Sequence, residues 1–380
     1  VLCVFGTRPE AIKMAPVVLA LRARPRDFDA RVAVTAQHRG LLDRVTRFFR
    51  LPVRYDLDIM RDGQSLTDVT TRALVRLEPV LHRWRPDLVL VHGDTTTALA
   101  AALAAYYQKV PVGHVEAGLR SGDRYNPFPE EVNRRLADAV CALHFAPTAE
   151  SRRNLLAEGV SPRGIFVTGN TGIDALRLAA RRLSSRGRVA ASPAVRCLGR
   201  RPFILVTAHR RENFGRPLED VCAALKDVAR RRPDLDIVYP VHPNPNVTGT
   251  VRPRLGGLRN VRLLPPLDYP DLVYLLQRAR LVVTDSGGLQ EEAPSLGKPV
   301  LVLRRVTERP EAVRAGTVRV VGTDRAVVRR WILRLLRDRA LYRRMANAVN
   351  PYGDGHAARR TVQAVAHFAG RGSTPRPFKV

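Results

Sequence analysis

Short apolar runs rich in Val, Ile and Leu alternate along the chain with longer segments in which apolar residues recur every three to four positions. Runs of the first kind spell strands buried on both faces, and the second kind spells helices lying on them. In the first half the strand runs are residues 1–5, 30–35, 87–91, 110–115, 141–145 and 165–168, and helical periodicity covers 9–21, 65–84, 95–107 and 130–139. A second series follows Gly169-Asn170-Thr171-Gly172. Its strands are 203–207, 237–241, 261–264, 281–284, 299–303 and 318–321, and its helices 217–231, 270–277, 288–295 and 325–348. Residues 181–201, rich in Arg, Ser and Gly, read as a surface connection, and a last helix at 357–370 is placed to fold back on the first half. The pattern predicts an α/β protein of two Rossmann-like, doubly wound domains, residues 1–170 and 171–355, with a C-terminal helix at 356–372 returning to the first. Open sheets of this kind bind ligands beyond the carboxyl ends of their strands, so an interdomain cleft lined by those ends is the expected site.

Length and composition agree: 380 residues suit two domains, and 45% hydrophobic with 26% charged residues exclude a disordered polyelectrolyte. No apolar run reaches the roughly 18 residues of a membrane span, and the start VLCVFGTRPE leads into a strand-turn-helix rather than a leader peptide. A cytoplasmic protein without membrane insertion is expected. The four cysteines, Cys3, Cys141, Cys197 and Cys222, form no CxxC pair, which argues against a disulfide framework and a metal site. The net charge of +29 is the unusual number: of 64 basic residues five are Lys, leaving 59 Arg. Nucleic-acid binding is one reading. No zinc-finger spacing or aromatic-interleaved basic strip accompanies the arginines, so an Arg-rich composition without a specific nucleic-acid partner is preferred.

Chemistry concentrates in the turns that follow predicted strands. Gly6-Thr7-Arg8-Pro9-Glu10-Ala11-Ile12-Lys13 places Arg8 and Lys13 beside a glycine turn, which suits an anion, although Pro-Glu also simply starts helices. His92-Gly93-Asp94-Thr95 puts Asp94 where an N-cap would serve equally. Glu116 stands directly after a strand and before a glycine turn, with no evident structural task, whereas Glu130 and Glu131 also suit a helix dipole. Asp94, Glu116 and Glu130 together form a candidate acid–base cluster. In the second half, His209, Arg210 and Arg211 follow a strand. Asp285-Ser286-Gly287-Gly288 opens a helix whose backbone N–H groups suit a phosphate, with Glu292 one turn on for sugar hydroxyls. His242 and Arg309 occupy further strand ends, His242 being equally compatible with a packed loop histidine.

Read together, the segments GTRPEAIKMAP, HGDT, HVEAGLRSGD, PFPEEVNR, TGNTGIDAL, TAHRRENFG, YPVHPNP, DSGGLQEEAPSLGKPV, TERPE and NPYGDG closely resemble the non-hydrolysing UDP-N-acetylglucosamine 2-epimerases, in order and from residue 1 to about 355. The resemblance implies a GT-B architecture, a homodimer, no cofactor, and interconversion of UDP-GlcNAc with UDP-ManNAc for surface polysaccharide precursors. It implies anti elimination of UDP to 2-acetamidoglucal followed by syn re-addition. Arg8, Lys13, His209, Ser286, Gly287, Gly288 and Arg309 match the family's diphosphate and nucleotide contacts, Glu292 its ribose-binding acid, and Asp94, Glu116 and Glu130 its catalytic acids. His209 is also a candidate to assist the leaving phosphate, with Arg210 and His242 beside it for substrate binding. Some members bind a regulatory second UDP-GlcNAc through a QHR-type segment and a later Arg-Gln pair. Gln37-His38-Arg39 is present, but Gly40 stands where an acid is common, and Gln64 follows Gly63 instead of Arg. A GT-B glycosyltransferase and an epimerase of a modified UDP-N-acetyl sugar are the alternatives.

Overall fold

The computed structural model describes residues 1–36, 39–185, 192–196, 198–307 and 309–379, in two compact units. The first is Val1–Leu178 with Tyr352–Lys379, and the second Ala179–Pro351. The first unit runs β1 (Leu2–Phe5), α1 (Arg8–Arg22), β2 (Arg31–Val34), α2 (Arg39–Phe49), β3 (Val53–Asp56), α3 (Leu66–Trp84), β4 (Val89–His92), α4 (Thr96–Tyr107), β5 (Val112–Val115), α5 (Glu130–Val140), β6 (Leu143–Ala146), α6 (Ala149–Ala157) and β7 (Ile165–Val167). The chain passes into the second unit along α7 (Thr171–Ser185). There it forms α8 (Pro193–Arg196), β8 (Phe203–Thr207), α9 (Arg216–Arg231), β9 (Asp236–Pro240), α10 (Pro245–Leu255), β10 (Val261–Leu264), α11 (Tyr269–Arg278), β11 (Val282–Thr284), α12 (Gly287–Glu292), β12 (Val300–Val302), α13 (Pro310–Arg314), β13 (Val318–Val320), α14 (Arg325–Arg337) and α15 (Arg339–Ala346). The last helix, α16 (Ala357–Phe368), belongs to the first unit and packs on α1.

Both sheets are parallel. Their orders are β3-β2-β1-β4-β5-β6-β7 and β10-β9-β8-β11-β12-β13, so the winding direction reverses between β1 and β4 in one unit and between β8 and β11 in the other. Those switch points are where an open α/β sheet leaves room for a ligand. Helices cover both faces, and β1, β4, β5 and β6 are accordingly buried at every residue. One face of the first sheet, Leu2, Val4, Val89, Val91 and Val112, packs on α3 and α4, where six alanines of α4 allow close approach. In the second unit Ile204, Val206, Ile237, Tyr239 and Val283 form the matching core against α9 and α14.

Several details differ from the sequence pattern. β3 is a seventh strand of the first sheet, missed because an edge strand with mostly exposed residues, Val-Arg-Tyr-Asp, carries no apolar run. Residues 181–185, expected in a connection, continue α7. The helix expected at 325–348 breaks at Asp338, whose carboxylate accepts from Leu341 N at 2.9 Å and starts α15 afresh. At the far edge of the first sheet the C-terminal tail lies against β7. Phe378 N donates to Val167 O at 2.8 Å, and the Arg360 guanidinium covers its ring at 5.6 Å. Among the described residues no helix is long and apolar enough to cross a membrane.

Candidate functional site

In the first unit the site grows from the turns after β1, β4 and β5. A Cβ on Gly6 would stand 2.1 Å from Thr35 Oγ1 and 2.4 Å from Thr97 Oγ1, so glycine alone lets the chain turn against these two hydroxyls, themselves 2.9 Å apart. The buried Glu10 accepts from Gly6 N (3.0 Å) and Thr7 N (2.7 Å) and, through its other oxygen, from Thr95 Oγ1 (2.7 Å). It thereby ties the β1–α1 turn to the β4–α4 turn. Arg8 takes the first position of α1, and Lys13, further along that helix, reaches Glu116 Oε2 at 2.5 Å.

Glu116 leaves β5 with φ of 68°, a left-handed conformation that side chains rarely adopt and that concentrates at working sites. The same carboxylate oxygen lies 3.8 Å from His92 Nε2. Burial drives the His92 pKa down to about 3 against the pull of Glu116, so that ring is neutral. Asp94 is held from α5: Arg134 Nη2 pairs with its carboxylate, and Asn133 Nδ2 donates to its carbonyl at 3.0 Å. At the start of that helix two acids part company. Glu131 is buried and accepts from Ser121 N (2.9 Å) and Gly122 N (3.3 Å), a structural task. Glu130 keeps one buried carboxylate oxygen without a hydrogen-bond partner among the described residues.

Under this layer His114 places Nδ1 2.6 Å from Asp138 Oδ1 and Nε2 2.7 Å from the Gly93 carbonyl. Burial alone would lower its pKa, but Asp138 and the Gly93 carbonyl raise it on balance. Burial opposes ionisation of Asp138 too, yet His114 and Arg120, which pairs at 2.7 Å, bring that carboxyl down to about 2.

In the second unit the turn after β8 is built on Asp285, which follows β11 and is wholly buried. One Asp285 oxygen accepts from His209 N (2.8 Å), Arg210 N (2.8 Å) and Asn213 Nδ2 (3.0 Å). His209 stacks on the exposed His242 with ring centres 5.4 Å apart and 12° between planes, and its own burial lowers its pKa despite Asp285. Ser286 caps α12, and the guanidinium ends of Arg309 and Arg210 converge over its first residue: a Cβ at Gly287 would lie 3.7 Å and 3.9 Å from their Nη2 atoms. Gly288 has nothing within 4 Å of its Cβ position, which leaves this backbone open to a ligand. Buried Glu291 pairs with Arg309 and aims it, while Glu292 ends α12, half-buried.

Lys13 and Glu116 thus meet directly, Asp94 is joined to the helix that begins with Glu130, and Arg210, Arg309, Gly287 and Gly288 form one group. Gln64 stands apart, its Oε1 accepting from Arg61 N at 3.1 Å within its own turn. Gln37 and His38 lie outside the described residues. Glu10, Asp138, Asp285 and Glu291 escaped the choice of site residues. Only Glu10 carries a local signal, the Thr7-x-x-Glu10 spacing of a capping box.

Carboxylates gather at the switch point of the first unit and arginines at that of the second, where open α/β sheets bind ligands, and similarity along the whole chain says which proteins share this sequence. The sequence profile of the UDP-N-acetylglucosamine 2-epimerases matches residues 19–366. The chain belongs to this family. The UDP-N-acetylglucosamine 2-epimerase of Yersinia pestis is 54% identical over 368 residues, covering 96% of this chain and 98% of that protein. The crystal structure of UDP-GlcNAc 2-epimerase from Neisseria meningitidis bound to UDP-GlcNAc is similar with a TM-score of 0.87 and 46% identity, over 96% of this chain and 99% of that one. The S. aureus MnaA–UDP structure has a TM-score of 0.87 and 44% identity, over 100% and 99%. The two Rossmann-like domains are accordingly of the GT-B type of these epimerases, and relatives in the family hold UDP-GlcNAc and UDP.

Proposed function

We propose that the protein interconverts UDP-GlcNAc and UDP-ManNAc, the second unit's basic group taking the diphosphate and the first unit's acids working on the sugar. C2 of a 2-acetamido sugar is not adjacent to a carbonyl, so a carboxylate alone removes its proton very slowly. If the C1–O bond to UDP breaks as the C2 proton leaves, the growing positive charge at C1 acidifies C2 and an ordinary carboxylate suffices. The products of this anti elimination are UDP and 2-acetamidoglucal. Return of a proton to the opposite face of C2 and of UDP to C1 completes the inversion. Such a route needs cations on the departing diphosphate and acids on both faces of the ring.

In this reading Arg8, Lys13, Arg210, Arg309, His242 and the backbone of Ser286, Gly287 and Gly288 bind and stabilise the anion, and Glu292 takes the ribose hydroxyls. Neutral His209 donates a hydrogen bond to the leaving phosphate. Asp94, Glu116 and Glu130 exchange the C2 proton. The observation that carries the proposal is the convergence of Arg210 and Arg309 at Gly287, next to the open backbone of Gly288, an arrangement suited to a diphosphate. The expected setting is a cytoplasmic homodimer supplying surface polysaccharide precursors. Incubation with UDP-GlcNAc in deuterium oxide tests the chemistry: UDP-ManNAc and deuterium at C2 are expected, and an unlabelled, unchanged sugar would overturn it.

A further inference from the structure

Three neighbouring strands of the first unit each carry a histidine, His92 on β4, His114 on β5 and His144 on β6. His114 and His144 are directly paired across the sheet, whereas His92 is one residue out of register and pairs with Val115. His114 is wholly buried, and both of its ring nitrogens face oxygen atoms at short range. A backbone carbonyl only accepts, so Nε2 must carry a proton toward Gly93 O. Asp138 accepts as well: its Oδ2 takes Arg120 Nη2 at 2.7 Å and Gly118 N at 3.3 Å, which favours the ionised carboxylate. Nδ1 must then carry a proton too. His144 bonds the Asp138 carbonyl through Nε2 at 2.9 Å and stands 3.9 Å from Asp138 Oδ1, beyond hydrogen-bond reach. His92 pairs with Val115 rather than with His114, neither of its ring nitrogens is hydrogen-bonded among the described residues, and Glu116 is engaged by Lys13.

We propose that His114 is a positioning residue of the epimerisation, an imidazolium clamped by Asp138 that braces the β4–α4 turn against α5 and so fixes Asp94 relative to Glu130. The mechanical path is short. Asp138 lies on α5 with Glu130, Asn133 and Arg134, and the last two hold Asp94. His114 closes the frame by holding the carbonyl of Gly93, the residue before Asp94. Neutralising the ring removes one donor from a buried pair of acceptors and lets the turn drift, and displacement by about an ångström at reacting groups costs rate rather than affinity.

This role rests on the proposed chemistry, but its first test needs no turnover. In histidine ¹⁵N spectra of the full chain, His114 is expected to keep protons on both nitrogens at neutral pH, where an ordinary imidazole has lost one. A single protonated nitrogen at neutral pH would overturn the proposal. In kinetics, Asp138→Asn and His114→Gln should each lower kcat at least about tenfold while KM for UDP-GlcNAc stays within about threefold. Unchanged kcat in either folded variant would equally overturn it. Should His114→Gln not fold, Asp138→Asn and the wild-type spectrum still decide. A wild-type protein inactive on UDP-GlcNAc would remove the epimerase reading and leave the charge of His114 to the spectrum.

Discussion

Glu116 combines two costs in one side chain: a left-handed backbone angle and a carboxylate largely withdrawn from water. A non-glycine residue in that conformation costs about 1–2 kcal/mol, and Lys13 offsets the burial of the charge. Glycine at this position would relieve the backbone while deleting the carboxylate. Glu116→Gly is therefore expected to melt within a few degrees of the parent, as followed by circular dichroism, while losing at least about a hundredfold in kcat. A variant that keeps its rate would take Glu116 out of the chemistry. Gly6 illustrates the opposite case, a residue whose worth lies in lacking atoms, because Thr35 and Thr97 fill the space a methyl group would need.

At the level of elements, Asp285 does for the second unit what Glu10 does for the first: a buried carboxylate gathers donors from a neighbouring strand end. Asp285→Ala strands two backbone N–H groups and the Asn213 amide, so unfolding free energy should drop by about 2–4 kcal/mol in urea titrations, with UDP affinity falling alongside. Near-parental stability would contradict the structural role. The central strand β8 was legible to the residue from its apolar run alone, because burial on both faces leaves no polar interruption before Thr207. The edge strand β10 was legible from the three apolar residues that flank its exposed Arg262. α10 was not, since Gly249 and Pro253 interrupt its helical character. The site turns were equally legible, each lying at a strand end with polar residues in a small space. The buried acids beneath them were not, because their partners are backbone groups or side chains far away in sequence, as with Asp285 and His209 or Asp138 and His114.

For the molecule as a whole, the buried Asp138 connects the site to acid stability. Its folded pKa, about 2, lies below the ordinary carboxylate value, so its contribution is complete above that ordinary range and disappears as pH falls through about 2. Seen from His114, whose value is raised, the pair's stabilisation is present at low pH and is lost as pH climbs through the raised imidazole value. Asp138→Asn should flatten the acid limb of a plot of urea midpoint against pH between about pH 4 and pH 2; an unaltered limb would show that other carboxylates carry it. Most of the +29 charge has no such local partner in the chemistry, and the few cations assigned to the diphosphate leave the arginine excess compositional. The tail on β7 has a different consequence. An outermost parallel strand is a template on which another chain can grow, and here the vacancy is plugged from within by Phe378, between residues Pro375 and Pro377 on one side and Lys379 on the other. Prolines offer no N–H with which to extend the ladder. Removing residues 373–380 should turn the protein into one that self-associates with rising concentration in light scattering, while a shortened chain that stays dispersed would show that β7 needs no guard. The last few residues would then serve colloidal solubility rather than catalysis.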